Sequence, residues 1–186
     1  MRPFLCVSLS VAVLAGCEPA PEPTGPSLQS SGVTATAVGE GVFDAGVPVA
    51  FQFGIVQRNA AGDATGDLRF TTDLGGLAID FVGSATCLAV DPENARAWVG
   101  GVVTENNSEH PSFTGAIHAV GRDIWFRVVD YGEGANAAQV DRTTFVGFEG
   151  AAGFITSAEY CAGRPWPDND ERTGPVLEGN IQTMVR

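Results

Sequence analysis

From Val33 to the C-terminus, apolar residues alternate with polar or small ones in short runs, the period of strands with one face in a core and the other in water. In Val49 to Gln57, Val49, Phe51, Phe53 and Ile55 share one face, while Ala50, Gln52 and Gly54 share the other. Leu68 and Phe70 alternate with Asp67, Arg69 and Thr71, and Leu77, Ile79 and Phe81 alternate with Ala78 and Asp80. Similar runs at Val33 to Phe43, Ser84 to Val90, Ala95 to Thr104, Asp123 to Asp130, Thr143 to Phe148 and Leu177 to Val185 bring the prediction to about nine strands. No apolar stretch has a helical period, though Ala135 to Val140 would suit a single turn. Links such as Gly75-Gly76 are short, so neighbouring strands should be antiparallel hairpins. The fold class is therefore all-β: an antiparallel meander closed or nearly closed into a barrel, with a two-sheet β-sandwich as the alternative. Closure would pair the first strand with the last. Phe51, Phe53, Phe70 and Phe81 would then fill the lumen, where a carrier of small ligands would need an apolar cavity.

Composition adds sign and size. With 44 % apolar and 17 % charged residues, the chain can bury a core, and 186 residues suit one domain with a tail. The formal charge of -12 comes from 22 acids and 10 bases, every base an arginine. A polyanion needs a basic footprint, so nucleic acid is excluded as a partner, and anionic membrane surfaces are disfavoured likewise.

The N-terminal segment departs from the strand pattern. Arg2 precedes an apolar run from Phe4 to Ala15, broken only by Ser8 and Ser10. This run is too short to cross roughly 30 Å of hydrocarbon, and it reads as the core of a signal peptide. It ends in Leu14, Ala15, Gly16 and Cys17, a sequence that resembles the lipobox of bacterial lipoproteins. That resemblance implies cleavage before Cys17, acylation of its thiol, attachment to a membrane through the lipid anchor, and residence in the cell envelope. Glu18, which is not aspartate, implies the outer membrane by the sorting rule of enterobacteria. An ordinary secretory signal ending in cysteine is the alternative. Residues 18–32 contain Pro19, Pro21, Pro23 and Pro26 and predict an extended tether reaching roughly 45 Å, or else a proline-motif ligand. The chain thus divides into a leader at 1–16, an acylated tether at 17–32 and one all-β domain at 33–186.

Export changes the reading of the remaining cysteines. Cys87 and Cys161 sit in no CxxC pair and beside no histidine, so an oxidising compartment favours a disulfide over a metal-binding or reactive thiol. Two motifs stand out beside them, WVGG at Trp98 to Gly101 and VVDYGEG at Val128 to Gly134. Together they resemble uncharacterised secreted bacterial β-domains that carry a WxGG strand and a VxDxGEG turn. The resemblance spans most of Phe51 to Arg186 and implies topology and export, with no activity attached.

Candidate chemistry is sparse. No cofactor is required; Asp130, Glu133, Asn136 and Asp141 could supply hard oxygen ligands for Ca2+, or they serve as acceptors within a glycine-rich turn. Asp168, Asn169, Asp170 and Glu171 begin like an EF-hand, but Arg172 breaks the ligand spacing, which leaves solvated loop charge. His110 and His118 lie in the long segment Glu105 to Gly121, a lid-like loop or a surface insertion. Neither completes a Ser-His-acid pattern, and Glu109, His110 and His118 lack the spacing of a closed zinc site. No catalytic motif is found, and nothing singles out two carboxylates for glycoside cleavage. If the strands carrying Trp98 and Trp125 pair, those rings share a face with Arg96 and Arg127, a composition suited to stacking on a carbohydrate or peptide. The other reading buries these strands on both sides. The function expected is binding or structural, with a carbohydrate, a peptide or an envelope protein as partner.

Overall fold

The computed structural model describes residues 34–59, 63–133, 137, 139–166 and 168–186. Among them run nine strands: β1 (Ala35–Asp44), β2 (Pro48–Gln57), β3 (Ala64–Leu74), β4 (Leu77–Asp91), β5 (Arg96–Asn106), β6 (Asp123–Val129), β7 (Arg142–Thr143), β8 (Gly147–Phe148) and β9 (Gly174–Val185). One α-helix, α1 (Ser157–Gly163), precedes the last strand. Each strand from β1 to β6 pairs antiparallel with the next, β6 pairs with β7, β7 with β9, and β9 with β1. Eight strands thus close a barrel, and β8 is an extra strand paired to β6. The barrel of the sequence prediction is the observed one, and the sandwich is set aside. Closure leaves the first and last strands without a free edge along their pairing.

The alternation read from the sequence sets the inside and the outside. Along β2, Val49, Phe51, Phe53 and Ile55 are buried and their neighbours exposed. The lumen is packed with rings: Phe51 stacks on Phe53 and Phe70, and Phe126 lies 5.0 Å from Phe53 and 4.9 Å from Phe70, centroid to centroid. Phe81 and Phe148 meet at 4.8 Å towards one end. The barrel interior is therefore a filled core and holds no carrier cavity at these positions. Two glycines allow the closing seam. Gly41 and Gly179 face each other across β1 and β9, and a Cβ on either would come within about 2 Å of the other strand's carbonyl oxygen.

Several boundaries differ from the sequence reading, each for a pairing reason. The runs at Leu77 and Ser84 belong to one strand, β4, which continues through irregularities between Val82 and Gly83 and between Ala85 and Cys87. Thr143 to Phe148 is two short strands, because β6 pairs with β7 through Val128 and Val129 and with β8 through Ile124 and Trp125. Helix α1 was not expected; its signal is the capping box of Thr156 and Glu159, which sits on too short a segment to show a period. The turn considered at Ala135 to Val140 lies partly outside the described residues.

Candidate functional site

The candidate ligand-binding residues lie together on the outer face of β5 and β6. Trp98 is paired directly with Arg127 and Gly100 with Trp125, so Arg96, Trp98, Trp125 and Arg127 share one face, while Ala97, Val99, Phe126 and Val128 face the core. That outer face is covered by α1 and the segment that follows it. Trp98 is 2 % exposed, Trp125 1 %, Arg96 7 % and Arg127 0 %. Trp125 stacks on Tyr160 of α1 at 5.5 Å, Tyr160 meets Trp166 edge to face, and the Trp98 indole N–H donates to the Pro165 carbonyl at 2.9 Å. Arg96 lies over the Trp98 ring at 5.8 Å and approaches Asp91.

Arg127 organises the cover. Its guanidinium donates to the backbone carbonyls of Trp166, Asp168, Asn169 and Glu171, so the chain wraps around one buried cation. A planar fork of donors can serve several carbonyls at once, which an ammonium cannot match. Burial pulls the Arg127 pKa down and pushes the Tyr160 hydroxyl up, the two groups favouring each other's charged forms. The Asp168 to Glu171 cluster, read as solvated charge, therefore works through its main-chain oxygens, while the Asp170 carboxylate pairs with Arg142 at 3.1 Å.

The cysteines fasten the same cover. Cys87 and Cys161 form a disulfide with their Cα atoms 6.3 Å apart. Simple alternation along β4 would have sent Cys87 inward with Ile79 and Phe81. The bulge after Ala85 inverts the order, placing Leu88 in the core and Cys87 opposite Gly100, outside. Gly100 has no Cβ because one would lie 2.6 Å from the Cys87 sulfur and 2.7 Å from the Ser157 side chain, and a Cβ on Gly101 would lie 2.3 Å from the Ser84 carbonyl. The two glycines of the WVGG motif thus seat the helix and the bulge.

The acidic turn is committed to the backbone. The Asp130 carboxylate accepts from Gly132 N at 2.9 Å and from Thr183 N at 2.6 Å, and Asp141 accepts from Tyr131 N at 2.9 Å and Ile181 N at 2.8 Å. Both acids thereby tie the turn to β9. Desolvation raises the Asp141 pKa against the pull of its two N–H donors. Glu133 accepts from Asn180 and Gln182, and Asn136 lies outside the described residues. Among the described residues, no three His, Cys, Asp or Glu side chains gather as a metal site. The two histidines belong to the segment after β5. His118 is buried, its ring 4.5 Å from Phe148 and 5.5 Å from Phe113, and burial lowers its pKa. His110 accepts from Ser112 N and caps a 3-10 turn. Asn106 bonds the carbonyls of Phe113 and His118, so this segment packs onto one end of the barrel. Cys17 lies outside the described residues, as does the rest of the leader and tether.

No protein-family model, no curated protein and no solved structure matches this chain.

Proposed function

We propose that this chain is a lipid-anchored protein of the bacterial cell envelope, held at the outer membrane, whose barrel has a binding or structural role. The observation that carries the reading is LAGC at Leu14 to Cys17, directly behind an apolar run too short to span a bilayer and ahead of a proline-rich spacer. Two or more acyl chains hold a protein stably, each buried methylene contributing about 0.8 kcal/mol. The Cys87–Cys161 disulfide supports an oxidising compartment. The filled lumen and the absence of a catalytic motif in the sequence favour recognition or scaffolding over turnover, and the negative charge favours partners other than nucleic acid.

The test is expression of the full chain in a bacterium with labelled palmitate, followed by fractionation and intact-mass measurement. The expected product begins at Cys17, carries acyl mass and sediments with membranes, while Cys17→Ala loses label and membrane association. A full-length, unacylated chain with free thiols in the cytosol overturns the proposal.

A further inference from the structure

We propose that the cleft beside the cover, bounded by Trp125, Phe145, Gly147, Trp166 and Arg172, binds a small flat ring bearing a carboxylate. The inference deepens the recognition role, but it stands on the geometry of the cleft alone. The cleft has a volume of about 270 Å³, which suits a single ring and leaves little room for an oligomer. Its walls include three aromatic side chains, so a flat ring gains stacking contacts.

The polar side of the cleft is rich in donors. Trp125 is buried, yet its indole N–H has no hydrogen-bond partner. A buried donor left unpaired costs about 1 to 3 kcal/mol, and with the nitrogen closed from solvent behind Gly147 an acceptor reaches it only through a shift of that wall. The Nε1 atom meets the cleft wall at Gly147, where a Cβ would lie 2.5 Å from it. Arg172 is exposed, and its guanidinium sits 5.1 Å from the Trp166 ring centroid at the same cleft. No acid lines the cleft among the described residues. Donors without acidic acceptors select oxygen acceptors, and a guanidinium selects the charged form, a carboxylate.

Backbone strain gathers at the same place. Five described non-glycine residues have positive φ, and three of them, Ala152 (56°), Trp166 (59°) and Arg172 (56°), line this cleft. Left-handed conformations of such residues persist where surrounding contacts enforce them, and they cluster at ligand sites. Here two of them, Trp166 and Arg172, also hold an indole and a guanidinium within 5.1 Å of each other beside the cleft.

The test is titration of the full chain with benzoate, read by calorimetry and by saturation-transfer NMR, with benzyl alcohol as the uncharged counterpart. One saturable benzoate site is expected, with benzyl alcohol weaker. Arg172→Gln, a change at an exposed side chain, should weaken benzoate by about tenfold or more, the factor that loss of a charged hydrogen bond implies. Gly147→Ala should remove binding by pressing a methyl against the indole nitrogen. Absence of saturable binding, equal affinity in Arg172→Gln, or equal affinity for benzyl alcohol overturns the site. An acylated, membrane-bound chain that ignores benzoate refutes this inference and leaves the anchor standing, whereas an unacylated chain that binds it does the reverse.

Discussion

Cleaving the Cys87–Cys161 bond should destabilise the domain mainly through the unfolded chain. The bond joins residues 74 apart in sequence. Closing a loop of that length removes unfolded-state entropy equivalent to about 4.5 kcal/mol at 25 °C in the chain-entropy description. The native cover has other fastenings: Ser157 N donates to Asp123 at 2.6 Å, Trp98 bonds the Pro165 carbonyl, and Arg127 grips four carbonyls. The folded state should therefore survive cleavage nearly unchanged, and the whole loss should appear as a shift of the unfolding transition. For a domain of this size that is a fall in Tm of roughly 9 to 18 °C. The assay is thermal and urea unfolding of the Cys87→Ala/Cys161→Ala variant beside the oxidised protein, followed by tryptophan fluorescence and far-UV circular dichroism. The folded baselines should coincide while the midpoints separate. A loss below about 1 kcal/mol, or a folded-state spectrum altered before any unfolding, would refute the reasoning, because it would mean that the bond acts elsewhere than on unfolded-chain entropy.

Three further outcomes follow from polar groups that are buried or half-buried. Arg127→Met should lose about 3 kcal/mol by stranding the carbonyls gathered around the guanidinium, and Arg127→Lys should recover less than half of it; hydrogen exchange should show residues 164–173 losing protection first. His118 has its pKa lowered by burial, so the proton prefers the unfolded chain. Its contribution to stability is present above the unfolded value of 6.5 and is lost as pH falls through the folded value, so His118→Phe should flatten the acid limb of a stability-against-pH curve that the parent shows below 6.5. Asp130→Ala should cost about 1 kcal/mol by removing the acceptor of the part-buried Thr183 N and the exposed Gly132 N, while millimolar calcium should leave the melting temperature of the parent unchanged, because both Asp130 and Asp141 are engaged with backbone donors.

The candidate site was only partly legible. The sides taken by Trp98 and Arg96 on one strand and by Trp125 and Arg127 on the next could be read from alternation, since strand parity is a local property, while their shared face was conditional on the two strands pairing. Burial of that face was one of the two readings the sequence allowed, but that α1 would supply the cover and backbone carbonyls would wrap Arg127 could not be read, because the loop's acidic side chains gave no hint of its backbone. Thr156 to Glu159 did hold a capping signal for the helix. The cleft at Trp125 and Arg172 joins residues 47 positions apart in the chain and takes its form from backbone conformations that no residue type advertises.

By itself the sequence determined that this is an antiparallel β-domain with a phenylalanine-filled interior, because a two-residue period assigns each side chain to core or water without reference to distant segments. Tertiary structure alone decided between the barrel, closed through β1 and β9, and the sandwich, placed the bulge after Ala85 that turns Cys87 outward to meet its partner Cys161, and sealed the tryptophan face with a short helix and loop. Those outcomes depend on register and close approach between segments far apart in the chain, and a single shifted residue in β4 reverses every side chain beyond it.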